Sequence, residues 1–412
     1  MRTVHDRPMI PAQRPLHVLQ LDPNANTPPY DRALGEALAA AGCRVELLTS
    51  RFLYEELPRS GGLRLDERFF RLAGSSLAAR TGLTQRPAAR RILKAAEYPL
   101  DWLPLLVGLA LRRGRARPDL VHVQWTVQPT LDLLIWQLVR RLGVPLVYTV
   151  HNLIPHHARP RDAVVYGRLY RAADALVVHS ERSAQALRDE WRIPGHRIAV
   201  VPMGPMLEGW PELSRDEARR TLGLPLDGEL VLFTGLIEPY KGLSDLIAAF
   251  GTVAGRRPSA RLVIAGKPNE PLDGYRQQLD QLGLLDRTTL DLRFLPESTL
   301  VAYLCAADVV VLPYRSVTSS AMLLAARRFG CPVVATDAGD LGELIEDGAS
   351  GLLAPPSSPD QLGAAVERLL ADPALATCLG RAGQAQALGP HGWPEAARRT
   401  LALYRQLTKP GS

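Results

Sequence analysis

Lys241 is the residue whose setting suggests the most chemistry. It lies in Phe233-Thr234-Gly235-Leu236-Ile237-Glu238-Pro239-Tyr240-Lys241-Gly242, where an apolar run ends in a Gly/Pro turn and a helical pattern begins, carrying Leu246 and Ala249. A strand-to-helix turn gathers free backbone N–H groups and the positive end of a helix at one spot. A lysine there adds a full charge, which suits a diphosphate. A solvated lysine beside a turn glycine accounts for this segment equally well when it is taken alone. The second segment is Leu312-Pro313-Tyr314-Arg315-Ser316-Val317-Thr318-Ser319-Ser320-Ala321. Thr318, Ser319 and Ser320 stand where a helix N-cap belongs, and hydroxyls with free amides at a helix start form a second anion site. An ordinary Ser/Thr cap is the plainer reading of that segment. The pair carries the argument, because two phosphate-suited loops leaving strand ends in one half of the chain would face one cleft. Gly235, Glu238, Gly266, Lys267 and Ala321 belong to the same set of expected donor-side residues.

The other half offers Thr149-Val150-His151-Asn152-Leu153-Ile154-Pro155-His156, with His157 after it. His151, His156 and His157 invite a metal reading. Adjacent histidines point different ways in extended chain, however, and a metal needs convergent ligands. A polar cleft loop containing His151 and Asn152 is the expectation, with no metal.

These residues need elements to hold them, and the apolar pattern supplies βα alternation from end to end. Strands are expected at 17–21, 45–48, 120–123, 146–150, 176–178 and 198–201, then at 230–233, 262–265, 290–294, 309–312 and 333–335. A loop covers 22–29, and a helix follows with Leu34, Ala37, Leu38 and Ala41 on one face. This describes an α/β chain of two Rossmann-like domains, with a ligand cleft at the carboxyl ends of the strands. The expected division is 1–208 and 229–388, an interdomain connection over 209–228, and a closing segment 389–412 whose helix spans 393–407.

Composition narrows the function classes. The 412 residues exceed one ordinary core. A net charge of +7 fits a protein handling phosphates, nucleic acid or an anionic surface. No basic run is interleaved with aromatics, so nucleic acid is excluded as a partner. Cys43, Cys305, Cys331 and Cys378 lack CxxC spacing and suggest a reducing compartment. The stretch 1–15 has no apolar core of the kind a secretory leader needs, so a cytoplasmic location is expected. Residues 100–111 are nearly all apolar; Arg86, Arg90, Arg91 and Lys94 precede them, and Arg112, Arg113, Arg115 and Arg117 follow. The run is too short to span a bilayer. It is either a buried core helix or an interfacial one lying on anionic headgroups through residues 86–117.

Further motifs make a family visible. Gly330-Cys331-Pro332-Val333-Val334-Ala335-Thr336-Asp337 runs on to Glu343 and Asp347-Gly348-Ala349-Ser350-Gly351-Leu352-Leu353. Together with the two donor-side segments, this ordered set resembles the "GxxxPYKG", "aaDvvvlPY", "GxPVVatd" and "pElIedGxtGllv" segments of GT4-like glycosyltransferases of the GT-B fold. Thr149 to Asn152 resembles their "TvHN" loop. Val178-His179-Ser180-Glu181 and Val201-Pro202-Met203-Gly204 resemble two further segments. Pro28-Pro29-Tyr30-Asp31 forms a loop where the domains meet. The likeness covers roughly residues 16–408, with 53–117 the least matched.

The resemblance implies transfer of a sugar from a nucleotide-diphosphate sugar, with UDP or GDP, to a saccharide, lipid-linked or small-molecule acceptor. It implies no required cofactor or metal, and it implies retention of anomeric configuration. His151 and Lys241 become the catalytic candidates. Glu343 becomes either a donor ligand or a cap of its own helix, and Pro29, Tyr30, His151 and Asn152 become the acceptor-side set. The chain departs from the pattern at two acidic positions, which fall on Val317 and Ala325, and Leu236 replaces a usual arginine. A variant loop built on Ser319-Ser320-Ala321 explains the departure. An inactive partner homologue, or a sugar-nucleotide epimerase, is the alternative.

Overall fold

A computed structural model describes residues 14–52, 62–75, 87–112, 114–154, 160–318 and 320–408. The first sheet has seven parallel strands in the order β3-β2-β1-β4-β5-β6-β7. They are β1 (His17–Asp22), β2 (Arg44–Ser50), β3 (Leu63–Phe69), β4 (Leu120–Val123), β5 (Leu146–Thr149), β6 (Ala175–Val178) and β7 (Ile198–Val200). The second sheet has six parallel strands in the order β10-β9-β8-β11-β12-β13. They are β8 (Leu230–Thr234), β9 (Arg261–Ala265), β10 (Thr288–Asp291), β11 (Val309–Leu312), β12 (Val333–Thr336) and β13 (Leu352–Ala354). Most inner strands are buried on both faces, which is why they read as continuous apolar runs. The expected α/β architecture is therefore present twice.

Helices cover both sheets. In the first domain they are α1 (Pro28–Ala40), α2 (Pro87–Leu111), α3 (Pro129–Arg141), α4 (Pro160–Ala172) and α5 (Glu181–Asp189). After them come α6 (Arg215–Leu222), α7 (Leu243–Arg256), α8 (Asp273–Gln281), α9 (Glu297–Ala306), α10 (Ala321–Arg328), α11 (Leu341–Leu344), α12 (Pro359–Ala371), α13 (Pro373–Leu388) and α14 (Trp393–Leu407). Helix α6 lies inside the segment read as a connection. It packs on α9, and its buried Arg219 pairs with Asp308 at 2.7 Å beside the second sheet. Helix α14 crosses back to the first sheet, where it packs on α1 and β7. There the Tyr404 hydroxyl meets His122 Nδ1 at 2.5 Å, and Trp393 Nε1 donates to the Pro205 carbonyl at 2.8 Å.

Three elements differ from expectation. Pro28 to Asp31 is the first turn of α1 and not a loop, as prolines at the opening of a helix allow. The strand expected at 290–294 sits at Thr288–Asp291, because register with β9 fixes this half-buried edge strand. Strand β3 was not expected; it is an edge strand with charged residues at Arg64, Asp66, Glu67 and Arg68, and charge on an edge hides the strand pattern.

In doubly wound sheets the ligand crevice opens where the strand order reverses, outside the carboxyl ends. In the first sheet that point lies between β1 and β4, and in the second between β8 and β11.

Candidate functional site

The loops 235–242 and 313–320 leave β8 and β11, the two strands that flank the second switch point. Arg315 N donates to the Tyr240 carbonyl at 2.7 Å and stitches one loop to the other. The Thr336 hydroxyl donates to the Tyr314 carbonyl. Lys241 Nζ donates to Tyr314 Oη at 3.2 Å and lies 4.6 Å from the centroid of that buried ring. The ring thus holds a full positive charge at the seam between the loops. Gly235 and Gly266 bring backbone against backbone beside it; a Cβ on Gly266, at φ +153°, would stand 1.8 Å from the Gly235 carbonyl oxygen.

The other donor-side candidates are placed as follows. Glu238 accepts from Asn269 Nδ2 at 2.8 Å, and the Lys267 carbonyl accepts from Ile237 N at 3.0 Å. Ser320 is the N-cap of α10, its Oγ accepting from Leu323 N at 3.2 Å, and it is buried. Its hydroxyl oxygen is therefore committed to the helix. Thr318 is half-buried at the end of the loop and Ala321 opens α10, whereas Ser319 lies outside the described residues. Arg315, also in this loop, is committed to Asp245 through two contacts of 2.8 Å.

The first domain builds its side of the cleft from rings. His151 follows β5 and stacks on Trp125 at 4.6 Å between centroids. Tyr30 packs edge-on at 5.0 Å, and His179 Nε2 lies 3.3 Å from His151 Nδ1. His179 Nδ1 faces the Val201 carbonyl at 3.0 Å and must donate to it. Neutral His179 therefore accepts at Nε2, and His151 donates from Nδ1. His151 Nε2 is left as an acceptor, and it has no partner among the described residues. Burial first, then the fields of His179 and His122, hold the pKa of His151 well below its ordinary value, so the ring is neutral. The β1–α1 loop joins in. Asp22 accepts from Asn26 N and Thr27 N at 2.6 and 3.1 Å, and Trp125 Nε1 donates to Thr27 Oγ1 at 2.7 Å.

Tyr30 is 3% exposed and packs against His151 and Trp393 inside the ring cluster. Pro29 and Asn152 are half-buried at the edge of this cluster's segments. Glu343 does not cap its own helix; its carboxylate bonds to backbone amides of α5 in the first domain. The sequence reading assigned no role to Trp125, Tyr314 or Trp393. Tyr314 stood in a quoted motif, while Trp125 and Trp393 carry no local signal. His156 and His157 lie outside the described residues, and among the described residues no group of three or more His, Cys, Asp or Glu side chains could hold a metal.

Residues 100–111 lie in helix α2, which has one apolar face buried and one exposed. Tyr98, Trp102, Leu105 and Leu109 are buried on one face. Leu100, Leu103, Val107 and Leu111 are exposed on the other, at 64%, 57%, 46% and 74%. Glu97 and Asp101 turn inward to cap the amides of Leu72, Ala73 and Phe70, so no carboxylate interrupts the exposed stripe. Among the described residues no helix is long and apolar enough to cross a membrane.

Comparison with known proteins agrees with this geometry. Residues 214–386 match the family described as glycosyl transferases group 1, and residues 29–204 match a glycosyl transferase 4-like domain. A D-inositol 3-phosphate glycosyltransferase of Segniliparus rotundus is 31% identical over 313 residues, covering 72% of this chain and 68% of the relative. One from Acidothermus cellulolyticus is 33% identical over 308 residues, covering 70% and 67%. Among solved structures, sucrose-phosphate synthase of Thermosynechococcus elongatus superposes with a TM-score of 0.72 at 23% identity, covering 95% of this chain and 99% of that one. The HepE protein of Anabaena, in complex with UDP and glucose, gives 0.68 at 18% identity, covering 95% and 100%. These two likenesses establish the fold as GT-B.

Proposed function

The chain belongs to the group 1, GT4-like glycosyltransferases, and we propose that it transfers a sugar from a UDP-sugar whose diphosphate sits between Lys241 and the start of α10. The observation that carries this is the Lys241 ammonium, held on Tyr314 where two loops meet at the switch point. Negative charge grows on the leaving diphosphate as the glycosidic bond breaks. A cation and free amides already aimed at that charge stabilise it without reorganisation. His151 contributes differently. As a neutral ring with a lone pair at Nε2, it accepts a hydrogen bond from a sugar hydroxyl and does not pair with phosphate. UDP is preferred to GDP because a structural neighbour carries UDP in its complex. The family likeness further supports retention of configuration.

The acceptor proposed is a lipid-linked saccharide presented at an anionic membrane surface. Support comes from the exposed apolar face of α2, with Arg91 before it and Arg112 after it both exposed. Such a face lies in a headgroup layer while flanking arginines meet anionic lipid.

A thermal-shift panel with UDP, GDP, TDP and ADP and their sugar conjugates tests the donor site. A ligand that binds only the folded chain adds about 2.7 kcal/mol at 100 times its Kd. The expected result is a shift with UDP that disappears in Lys241→Ala. No shift with any nucleotide would overturn the assignment.

A further inference from the structure

Glu343 stands in the second domain but bonds in the first. Its Oε1 accepts from Glu181 N at 2.8 Å and its Oε2 from Arg182 N at 3.1 Å. These are the first two amides of α5, and the third, Ser183 N, is taken at 3.0 Å by the N-cap Ser180. The opening amides of a helix have no partner within it and carry its positive dipole end, so a carboxylate is the group suited to them. Arg182 answers in the opposite direction, its Nη1 donating to the Gly339 carbonyl in the second domain.

Each end of this clamp leads to one side of the cleft. On the second-domain side, Gly339 has φ +54°, and a Cβ there would lie 1.6 Å from the Val317 carbonyl oxygen. The segment that Arg182 grips is thus pressed against the loop carrying Thr318 and Ser320. On the first-domain side, His179 lies two residues before Glu181, and its Nε2 is 3.3 Å from His151 Nδ1. We infer that Glu343 and Arg182 are positioning residues that hold His151 in register with the donor loop across the cleft. The inference rests on the donor site proposed above. Both side chains are engaged with backbone of the facing domain. They act through the placement of His151 and the donor loop, so removing them should slow transfer while sparing donor affinity.

The test measures UDP affinity by calorimetry and kcat with a UDP-sugar in wild type, Glu343→Ala, Glu343→Gln and Arg182→Ala. Both side chains are exposed, so the variants should fold. The expected result for Glu343→Ala is a Kd for UDP within about threefold of wild type and a kcat lower by one to two orders of magnitude. Glu343→Gln, whose amide oxygen still accepts one bond, should recover part of that loss. Hydrogen exchange at the Glu181 and Arg182 amides should quicken in Glu343→Ala in the absence of any ligand. Loss of UDP binding in Glu343→Ala would make Glu343 a donor ligand and overturn the inference. Unchanged kcat would also overturn it while leaving the donor site standing. Wild-type protein that binds no nucleotide would instead bring down the donor site itself.

Discussion

The two sides of the cleft are built from different materials. The second domain uses backbone: two loops at a switch point, glycines in close approach, a helix start and one lysine held on a tyrosine. The first domain uses side-chain packing, with Tyr30, Trp125, His151, His179 and Trp393 arriving from separate segments to form one cluster. The difference teaches where function and stability part company. A charge at the seam of two loops contributes to the reaction and little to the core. A buried ring beneath a histidine contributes to both, because its removal leaves a cavity where the catalytic geometry is set.

Lys241→Ala should show the largest effect on rate. Losing one preorganised group of this kind costs about 10²–10³ in kcat. The same variant should melt within about 2 °C of wild type, as substitutions away from core packing usually do. Tyr30→Ala should behave the other way, losing on the order of 3 kcal/mol in urea unfolding, with a smaller loss of kcat. Equal losses of stability in the two variants would break the comparison.

The same contrast decides how much could be read before the fold was known. Backbone-built sites restrict residue type locally, so Gly235, Lys241, Gly266 and the 318–321 helix start stand out as short motifs. Most strands were legible for a related reason, since parallel strands buried on both faces are continuous apolar runs. Packing-built sites leave no such trace. Trp125 and Trp393 are 268 positions apart, and nothing local to either says that they share a cluster with Tyr30. The contacts of Glu343 were hidden for a third reason. Its motif gave its position in the chain, but its partners belong to the other domain, and contacts between domains are not a property of any one segment.

Helix α2 extends the comparison to the surface, where the first domain again relies on apolar side chains. Vesicles rich in anionic lipid should bind the protein at low salt and release it as salt rises, because screening weakens the arginine contribution. Leu103→Asp combined with Val107→Asp should lower that binding by about tenfold or more, since each exposed aliphatic side chain contributes on the order of 1–2 kcal/mol once buried in the interface. Turnover of a soluble acceptor analogue should be unaffected. Equal vesicle binding by the double variant would remove α2 from the membrane proposal.

The smallest effect concerns Asp340, which is buried beside Glu343 where the two halves meet. Burial pushes its pKa from 3.8 up to about 6; the neighbouring Glu343 charge adds to this, while the Ser180 and Ser183 hydroxyls and Arg182 act in the other direction. A carboxyl whose folded pKa is raised favours the folded state in its protonated form. Its contribution is fully present below pH 3.8 and is lost as pH rises through about 6. Asp340→Asn mimics the neutral acid and cannot ionise. The stability difference between wild type and Asp340→Asn should therefore change between pH 4 and pH 7, moving against wild type by about 1–2 kcal/mol. Urea unfolding of the two proteins at a series of pH values measures this difference. A flat difference for Asp340→Asn would mean that the interface admits enough water to solvate its charge. A falling difference would show that the packed seam between the domains penalises a charge buried at Asp340.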